Sequence, residues 1–243
     1  MLNHHLSSWP RPESSGIKMP QDINILTFPL PLRLGRVNCY LIHTSSGHVL
    51  IDTGGSNARK ELRTELESAG CMPGSLNLII LTHGDFDHIG SAAFLRSAYG
   101  TSIAMHPADA SMAECGDMFV NRKKPIFPIR ALVRLFTGFG KSERFTPDIL
   151  LEEGYDLSQY GLEAKVISLP GHSRGSIGIL TVSGDLFCGD LFENTKGPAL
   201  NSLMDDASAA HDSASSLEGL KIKAVYPGHG QPFALELLAS GAP

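Results

Sequence analysis

The chain has 243 residues, of which 42% are hydrophobic and 19% charged, and its formal net charge is −5. This length allows a substantial hydrophobic core in one large domain or two small ones. The negative charge argues against a broad nucleic-acid-binding face, and no apolar stretch approaches the about 20 residues that span a bilayer. We therefore expect a small-molecule substrate, no nucleic-acid partner and no stable membrane insertion.

The first 20 residues are polar and lack the basic start and apolar run of a signal peptide. We expect a flexible arm at 1–20 and one domain over 21–243. The four cysteines are far apart and form no Cys-x-x-Cys pair, which argues against a cysteine-type zinc site and favours a reducing cytoplasm. Cys39 and Cys188 lie in apolar runs and are predicted to be buried.

Strand and helix signals alternate along the chain from residue 23. The helix at 57–69 is indicated by Leu62 and Leu66 on one face and by the stop signal Gly70. The predicted strands are 23–28, 38–42, 48–51, 76–81, 102–105, 163–169, 177–182, 185–188 and 223–226, and the other helices are 91–99 and 206–217. This alternation indicates an α/β fold in which helices cover the sheets.

The segment at 107–156 interrupts this rhythm and is predicted to be a helical insert between two β units. It is rich in basic residues, including Arg130 and Arg134, and its apolar residues recur at helical spacing. One interpretation is a structural cap with a solvated basic face. The other is a surface that attracts an anionic substrate, and dimerisation through the insert is a further option.

The most specific motif follows the strand predicted at 76–81. His83, Asp85, Asp87 and His88 place two imidazoles and two carboxylates within six positions. A buried strand that ends in a short loop presents such ligands in fixed directions around a cation. Imidazole combined with carboxylate suits zinc, or a dinuclear centre of zinc, iron or manganese.

Three later segments also place a His or an Asp beside glycine where an apolar strand is predicted to end. These ligand candidates are His172, Asp190 and His229. Glycine lets the backbone turn and approach an ion closely. Each segment alone is more typical of an ordinary turn, but seven candidate ligands at four predicted strand ends together indicate a metal centre.

The combined motifs resemble those of the metallo-β-lactamase superfamily. The loop at 83–88 is similar to the His-x-His-x-Asp-His signature of that family, and Asp52 is similar to its early aspartate. The resemblance implies a four-layer αββα sandwich with a dinuclear metal site at one edge of its two sheets. It also implies these ligand sets: His83, Asp85 and His172 for one metal, Asp87, His88 and His229 for the other, and Asp190 as the bridge.

Asp85 departs from the family pattern, because a histidine is usual at this position. A third carboxylate adds negative charge, which should raise the pKa of the bridging water and favour iron or manganese. The flavodiiron branch of this fold has Glu here and performs redox chemistry, although this chain leaves no room for the flavodoxin domain of that branch. Alternatively, Asp85 is a weak ligand and only one metal binds tightly.

Asp52 is predicted to lie behind the metal ligands. A carboxylate that accepts the free N–H of a ligand imidazole fixes its tautomer and its orientation. The alternative is an ordinary turn residue beside Thr53 and Gly54.

The expected function is hydrolysis of a small ester, lactone, thioester or phosphoester by a metal-bridging hydroxide. Asp87 would orient the hydroxide and pass a proton to the leaving group. We expect two divalent ions, zinc first, with iron and manganese as alternatives, and a cytoplasmic location. Two other classes stay open: a di-iron oxidoreductase, which Asp85 favours, and a non-catalytic metal-containing sensor.

Overall fold

The computed structural model describes residues 23–122 and 143–240, without the side chains of residues 239 and 240. The predicted arm at 1–20 lies outside these residues. Arg130 and Arg134 of the predicted insert also lie outside them, together with the rest of 123–142.

Six strands form the first sheet, and their order in space is their order in the chain. The first three pair antiparallel, and the third to the sixth pair in parallel. The strands are β1 (Ile23–Pro29), β2 (Arg36–Thr44), β3 (Gly47–Ile51), β4 (Leu76–Ile80), β5 (Ser102–Met105) and β6 (Ile149–Leu150). The carboxyl ends of the parallel strands β3 and β4 therefore lie at one edge, where Asp52 and His83 follow.

The second sheet is built around its longest strand, β9, which pairs antiparallel with β8 and β10 and in parallel with β11. The strands are β7 (Ala164–Ser168), β8 (Ile177–Thr181), β9 (Asp185–Asn194), β10 (Ala199–Leu200) and β11 (Ala224–Gly230). Since β9 and β11 run in the same direction, Asp190 and His229 lie near the same end of this sheet.

The helices carry local sequence signals that explain their bounds. Leu62 and Leu66 are the buried residues of α1, and Gly100 ends α3 with a positive φ of 67°. The side chain of Asp206 accepts from the Ala209 amide and caps α5. The helices are α1 (Arg59–Ser68), α2 (Phe86–Ile89), α3 (Ala92–Tyr99), α4 (Pro107–Cys115), α5 (Ala207–Ser216) and α6 (Leu237–Ser240).

Three buried apolar clusters define the layers, because a strand sends alternate side chains to opposite faces. Leu78 of β4 packs between the sheets in a cluster that includes Tyr226 of β11. Its neighbour Ile79 belongs to a cluster with α1 and α3. On the outer face of the second sheet, Leu186 of β9 belongs to a cluster with Ala210 of α5. The result is the predicted four-layer αββα arrangement.

The described ends of the predicted insert differ from each other. Its beginning is helical, since α4 starts at Pro107. Its later part contains the strand β6, in which Ile149 pairs with Ala104 of β5. Residues 149–150 therefore extend the first sheet, and the prediction of helix over this part was wrong.

The cysteines are all free, and Cys39 and Cys188 are buried as predicted. Within residues 23–122 and 143–240, no helix has both the length and the apolar character needed to cross a membrane.

Candidate metal centre

The loop after β4 turns directly into α2, and this turn presents four candidate ligands. Asp85 precedes α2 in an extended conformation, and its side chain makes no capping bond, so it is free to face the centre. The Asp85 carbonyl accepts from the amides of His88 and Ile89, which fixes this first turn. Asp87 and His88 lie in that turn, and both are buried.

The second sheet supplies the other three candidates, but two of them lie within a strand instead of after it, as predicted from the sequence. His172 does lie in the loop between β7 and β8. Asp190 lies within β9 and His229 within β11. The pairing of β11 with β9 shifts register on both sides of Pro227 and resumes at His229. A bulge, rather than a strand end, therefore turns the backbone here.

The structure brings all seven predicted ligands together. Three groups have donor atoms within 4.8 Å of one another. Asp190 approaches both halves, since its carboxylate oxygens lie 3.4 Å from His88 Nε2 and 3.9 Å from His172 Nε2. The groups are His83–His88–Asp190, His83–Asp85–His172 and Asp87–His88–His229.

Each of the four histidines is held through Nδ1, so that Nε2 is directed towards the centre. The partners are Thr82 Oγ1 for His83 (2.9 Å), Asp52 Oδ2 for His88 (2.8 Å), the Leu203 carbonyl for His172 (2.6 Å) and the Arg36 carbonyl for His229 (2.7 Å). Such outer partners fix the tautomer and ring orientation of a metal-binding imidazole.

Asp52 has the position that the sequence predicted, behind the histidines. Its carboxylate accepts from His88, from the Thr82 amide and from the Thr82 hydroxyl, each at 2.8 Å. The Thr82 hydroxyl donates to Asp52 and so offers its lone pair to His83 Nδ1. Asp52 therefore orients His88 directly and His83 through Thr82. Its backbone φ of 59° is uncommon for a residue other than glycine, although Asp tolerates it.

The donor atoms fit a metal ion. His83 Nε2, His88 Nε2 and Asp190 Oδ1 are buried without a hydrogen-bond partner. A buried polar atom without a partner costs free energy, and a cation would satisfy all three. Gly228 leaves the necessary space, because a side chain there would collide with Asp190 and lie 2.7 Å from His88 Cε1.

The shared Asp190 controls the charge of two histidines. Burial lowers the pKa of His88, but Asp190 and Asp52 outweigh burial and raise that pKa to about 10. Burial also opposes the charged form of His229, and Asp190 again prevails and raises its pKa to about 9. Without a metal, both imidazoles hold a proton at neutral pH.

The pKa values of the other two histidines, His172 and His83, are shifted in opposite directions. Burial lowers the pKa of His172, but the hydrogen bond and charge of Asp85 raise it to about 9. Burial, together with the His88 and His172 imidazoles, holds the pKa of His83 well below its ordinary value.

The three carboxylates also differ. Burial favours the neutral form of Asp85, but the His172 hydrogen bond and the Arg122 charge prevail and lower its pKa. The histidines around Asp190 lower its pKa well below the usual value, again against burial. Asp87 is the exception, since burial raises its pKa. It is thus the carboxylate best suited to carry a proton.

Asp109 on α4 is a supporting residue that sequence reasoning missed. This fully buried carboxylate accepts from the Gly84 amide (3.0 Å), the Ser173 hydroxyl (2.6 Å) and the Gly175 amide (2.9 Å). It ties the loop of His83 and Asp85 to the loop of His172. No local pattern marks this role, because its partners lie 25, 64 and 66 residues away.

Two side chains of β2 support His229 from the opposite sheet, and the sequence did not reveal them either. Asn38 donates to the Pro227 and Gly230 carbonyls at 3.0 and 2.7 Å, and the Tyr40 hydroxyl donates to Pro227 at 2.5 Å. These bonds fasten the backbone on both sides of His229 to the first sheet.

A four-layer sandwich with a His/Asp cluster bridging its two sheets defines a protein with a candidate dinuclear metal site. Comparison with known families makes this assignment specific. The family pattern of the metallo-beta-lactamase superfamily matches residues 32–229. The chain belongs to this superfamily.

Similar proteins agree with the fold. TTHA1623, solved in a di-iron-bound form, is 30% identical with a TM-score of 0.67, over 89% of this chain and 98% of that one. The uncharacterised YobT of Bacillus subtilis is 28% identical over 68% of this chain and 66% of its own length. The hydroxyacylglutathione hydrolase GloC of Haemophilus influenzae is 28% identical over 62% and 64%. The chain thus spans just under two thirds of the length of these two relatives.

Proposed function

We propose that this protein is a dinuclear metallohydrolase that cleaves a small thioester, ester or lactone. The observation that carries the proposal is the convergence of seven His and Asp side chains, three of which have a buried donor atom without a hydrogen-bond partner. Half of the centre would consist of His83, Asp85 and His172, the other half of Asp87, His88 and His229, with Asp190 shared.

Divalent ions in such a centre act as Lewis acids and lower the pKa of a water molecule to near neutral. The residues of the chain provide the proton transfer. Asp87 is buried beside His229, with its Oδ2 3.6 Å from His229 Nε2. Because burial raises its pKa, Asp87 can accept the proton of the attacking water and return it to the leaving group.

The preference for a thioester among these substrates rests on the sequence similarity of this chain to GloC. GloC is named a hydroxyacylglutathione hydrolase, and a hydroxyacylglutathione is a thioester. Phosphoesters remain in the test panel, because the same chemistry acts on a phosphoryl centre.

A second candidate function is redox chemistry at a di-iron site. Two observations favour it: the likeness to TTHA1623 in its di-iron-bound form and the three carboxylates of the centre. Carboxylate ligands suit harder ions than an all-histidine site does.

The test is metal analysis of the purified protein combined with a panel of thioesters, esters, lactones and phosphoesters. We expect two metal ions per chain, and turnover that a chelator abolishes and zinc restores. Bound iron with oxygen consumption and no hydrolysis would support the redox function instead. Full metal content without turnover of any substrate would indicate a metal-containing sensor.

A further inference from the structure

Arg122 connects the unusual carboxylate of the centre to the second sheet. Its Nη1 donates to Asp85 Oδ1 at 2.5 Å, and its Nη2 donates to the His172 carbonyl at 3.2 Å. Its Nε lies 2.7 Å from Asp205 Oδ2. The side chain is only 7% exposed. We infer that Arg122 is a positioning residue that adapts the half-site of His83, Asp85 and His172 to an aspartate ligand.

The two oxygens of Asp85 have different partners. Oδ1 faces Arg122, whereas Oδ2 lies 3.0 Å from His172 Nε2 and 3.9 Å from His83 Nε2. The guanidinium therefore leaves only Oδ2 for an ion shared with the two histidines. A planar guanidinium holds such a geometry better than a lysine ammonium, because its donors form a rigid fork.

Arg122 also sets the distance between ligands that come from different sheets. One of its nitrogens binds the Asp85 side chain, and another binds the backbone of His172. Asp205 supports this arrangement in two ways. Its carboxylate pairs with Arg122, and its amide donates to the carbonyl of Gly171, the residue before His172, at 2.9 Å. The contacts of Arg122 thus connect the loop after β4, which carries Asp85, to the loop that carries His172.

The charge of Arg122 offsets the charge that Asp85 introduces. Asp85 stands where the family signature has a neutral imidazole, so the half-site carries one additional negative charge. A buried charge is costly unless it is paired. Arg122 pairs this additional charge within the half-site, and the more exposed Asp205 pairs with the other side of the same guanidinium.

The first experiment measures zinc binding to Arg122→Gln and Arg122→Lys by competition with a chelator, and thermal unfolding of the metal-free forms. Arg122→Gln should bind one zinc as wild type does and the other about 10–100-fold more weakly, the usual range for outer partners of a ligand. Arg122→Lys should lie between, because it keeps the charge and loses the fork. The matched control is Arg96→Gln, whose guanidinium pairs with the half-exposed Asp148, and we expect it to bind both ions normally.

A second experiment separates this role from a purely structural latch. In Asp85→His, Arg122 keeps Asp205 but loses the ligand carboxylate that it pairs with, so its charge lies beside the ion without a negative ligand to offset. Adding Arg122→Gln should therefore leave zinc binding unchanged or improve it, whereas it weakens binding in the wild-type background. Equal weakening in both backgrounds would overturn the inference, and so would wild-type affinity for both ions in Arg122→Gln.

The inference rests on the proposed metal centre but not on its reaction. Wild-type protein that binds no metal would remove both proposals. A different outcome is that the wild-type protein binds two ions and the Arg122 variants lower only the melting temperature of the metal-free form. The metal centre would then stand, but the inference would be wrong, because Arg122 would have a purely structural role.

Discussion

The two halves of the proposed centre are supported by different chemistry. Around Asp87, His88 and His229, the buried Asp52 carboxylate accepts the His88 N–H. Around His83, Asp85 and His172, the corresponding imidazole acceptors are a hydroxyl and a carbonyl, and the one carboxylate ligand is paired with Arg122.

This difference changes how the departure at Asp85 is understood. From sequence, Asp85 predicted a centre with excess negative charge. In the structure, Arg122 pairs with Asp85 and offsets its charge, whereas Asp52 and Asp87 have no arginine or lysine among their described contacts. We therefore expect the half with Asp87, His88 and His229 to bind the first ion.

The largest effect should follow from removing the ligand that both halves share. Asp190→Ala should eliminate most bound metal and activity, because each half loses a carboxylate at once. Metal content by elemental analysis, with circular dichroism to monitor the fold, is the measurement. Asp148→Ala, which removes a half-exposed carboxylate, serves as control. Full metal content in Asp190→Ala would refute the bridging role.

The order of binding can be tested by comparing Asp85→Ala with Asp87→Ala. The first variant should keep the tighter ion and lose the weaker one, and the second should lose the tighter ion. Stepwise metal titration by calorimetry resolves the two events. If Asp85→Ala loses the tighter ion, the charge argument is wrong.

Asp52→Asn should weaken metal binding by about 10–100-fold, because the His88 tautomer is no longer fixed by a carboxylate. Thr82→Val should affect only the half with His83, since it interrupts the link from Asp52 to His83 and leaves the bond to His88 in place. The two affinities of each variant, from chelator competition, make the comparison. An equal loss at both ions in Thr82→Val would contradict this division.

The melting temperature should respond to pH differently with and without metal. As pH rises, the metal-free protein should lose stability, whereas the stabilisation by zinc should increase. The pKa values of His172 and His229 are raised from 6.5 to about 9. Their protonation stabilises the metal-free fold below about pH 6.5, and this contribution is lost as pH rises through about 9. Metal binding requires unprotonated imidazoles, so stabilisation by zinc should grow over the same range. Melting temperatures with and without zinc should diverge between pH 6.5 and 9, and a constant difference would contradict the argument.

The smallest effect concerns the support of His229 by β2. Tyr40→Phe removes the hydroxyl bond to Pro227, whose carbonyl keeps the bond from Asn38, so unfolding should become easier by about 1 kcal/mol. Urea unfolding measures this change. Tyr155→Phe, which loses the contacts of an exposed hydroxyl with Gln159 and Tyr160, should have a smaller effect. A loss as large in the control would show that the β2 contact is not special.

The sequence predicted the elements whose signals are local. Apolar runs marked β4 and β5, and α1 was evident from Leu62 and Leu66 with the stop at Gly70. Strands β9 and β11 were predicted too short, because Gly189 and Pro227 suggest an end to a strand, whereas the sheet continues past both through local irregularity.

The ligands were recognisable because seven residues recur in a family pattern, and the structure places them together. Their supports were not recognisable. Arg122 meets Asp85 from 37 residues away, and Asn38 meets Pro227 from 189 residues away. Contacts of this kind depend on how the sheets pack, and no local periodicity reports them. The cytoplasmic location and the role of residues 123–142 stay predictions.

The division of the ligands between two sheets has a consequence for how long the folded protein resists proteolysis. Each half of the centre draws two ligands from the loop after β4 and one from the second sheet. Neither sheet alone offers a complete half, so an ion can be captured only after the sheets have docked. A bound metal would join points about 90 to 140 residues apart and would restrain the sheets from separating, which is the kind of long closure that constrains a chain most. Metal supply would thus govern how long the folded molecule survives proteases, independently of how fast it turns over substrate.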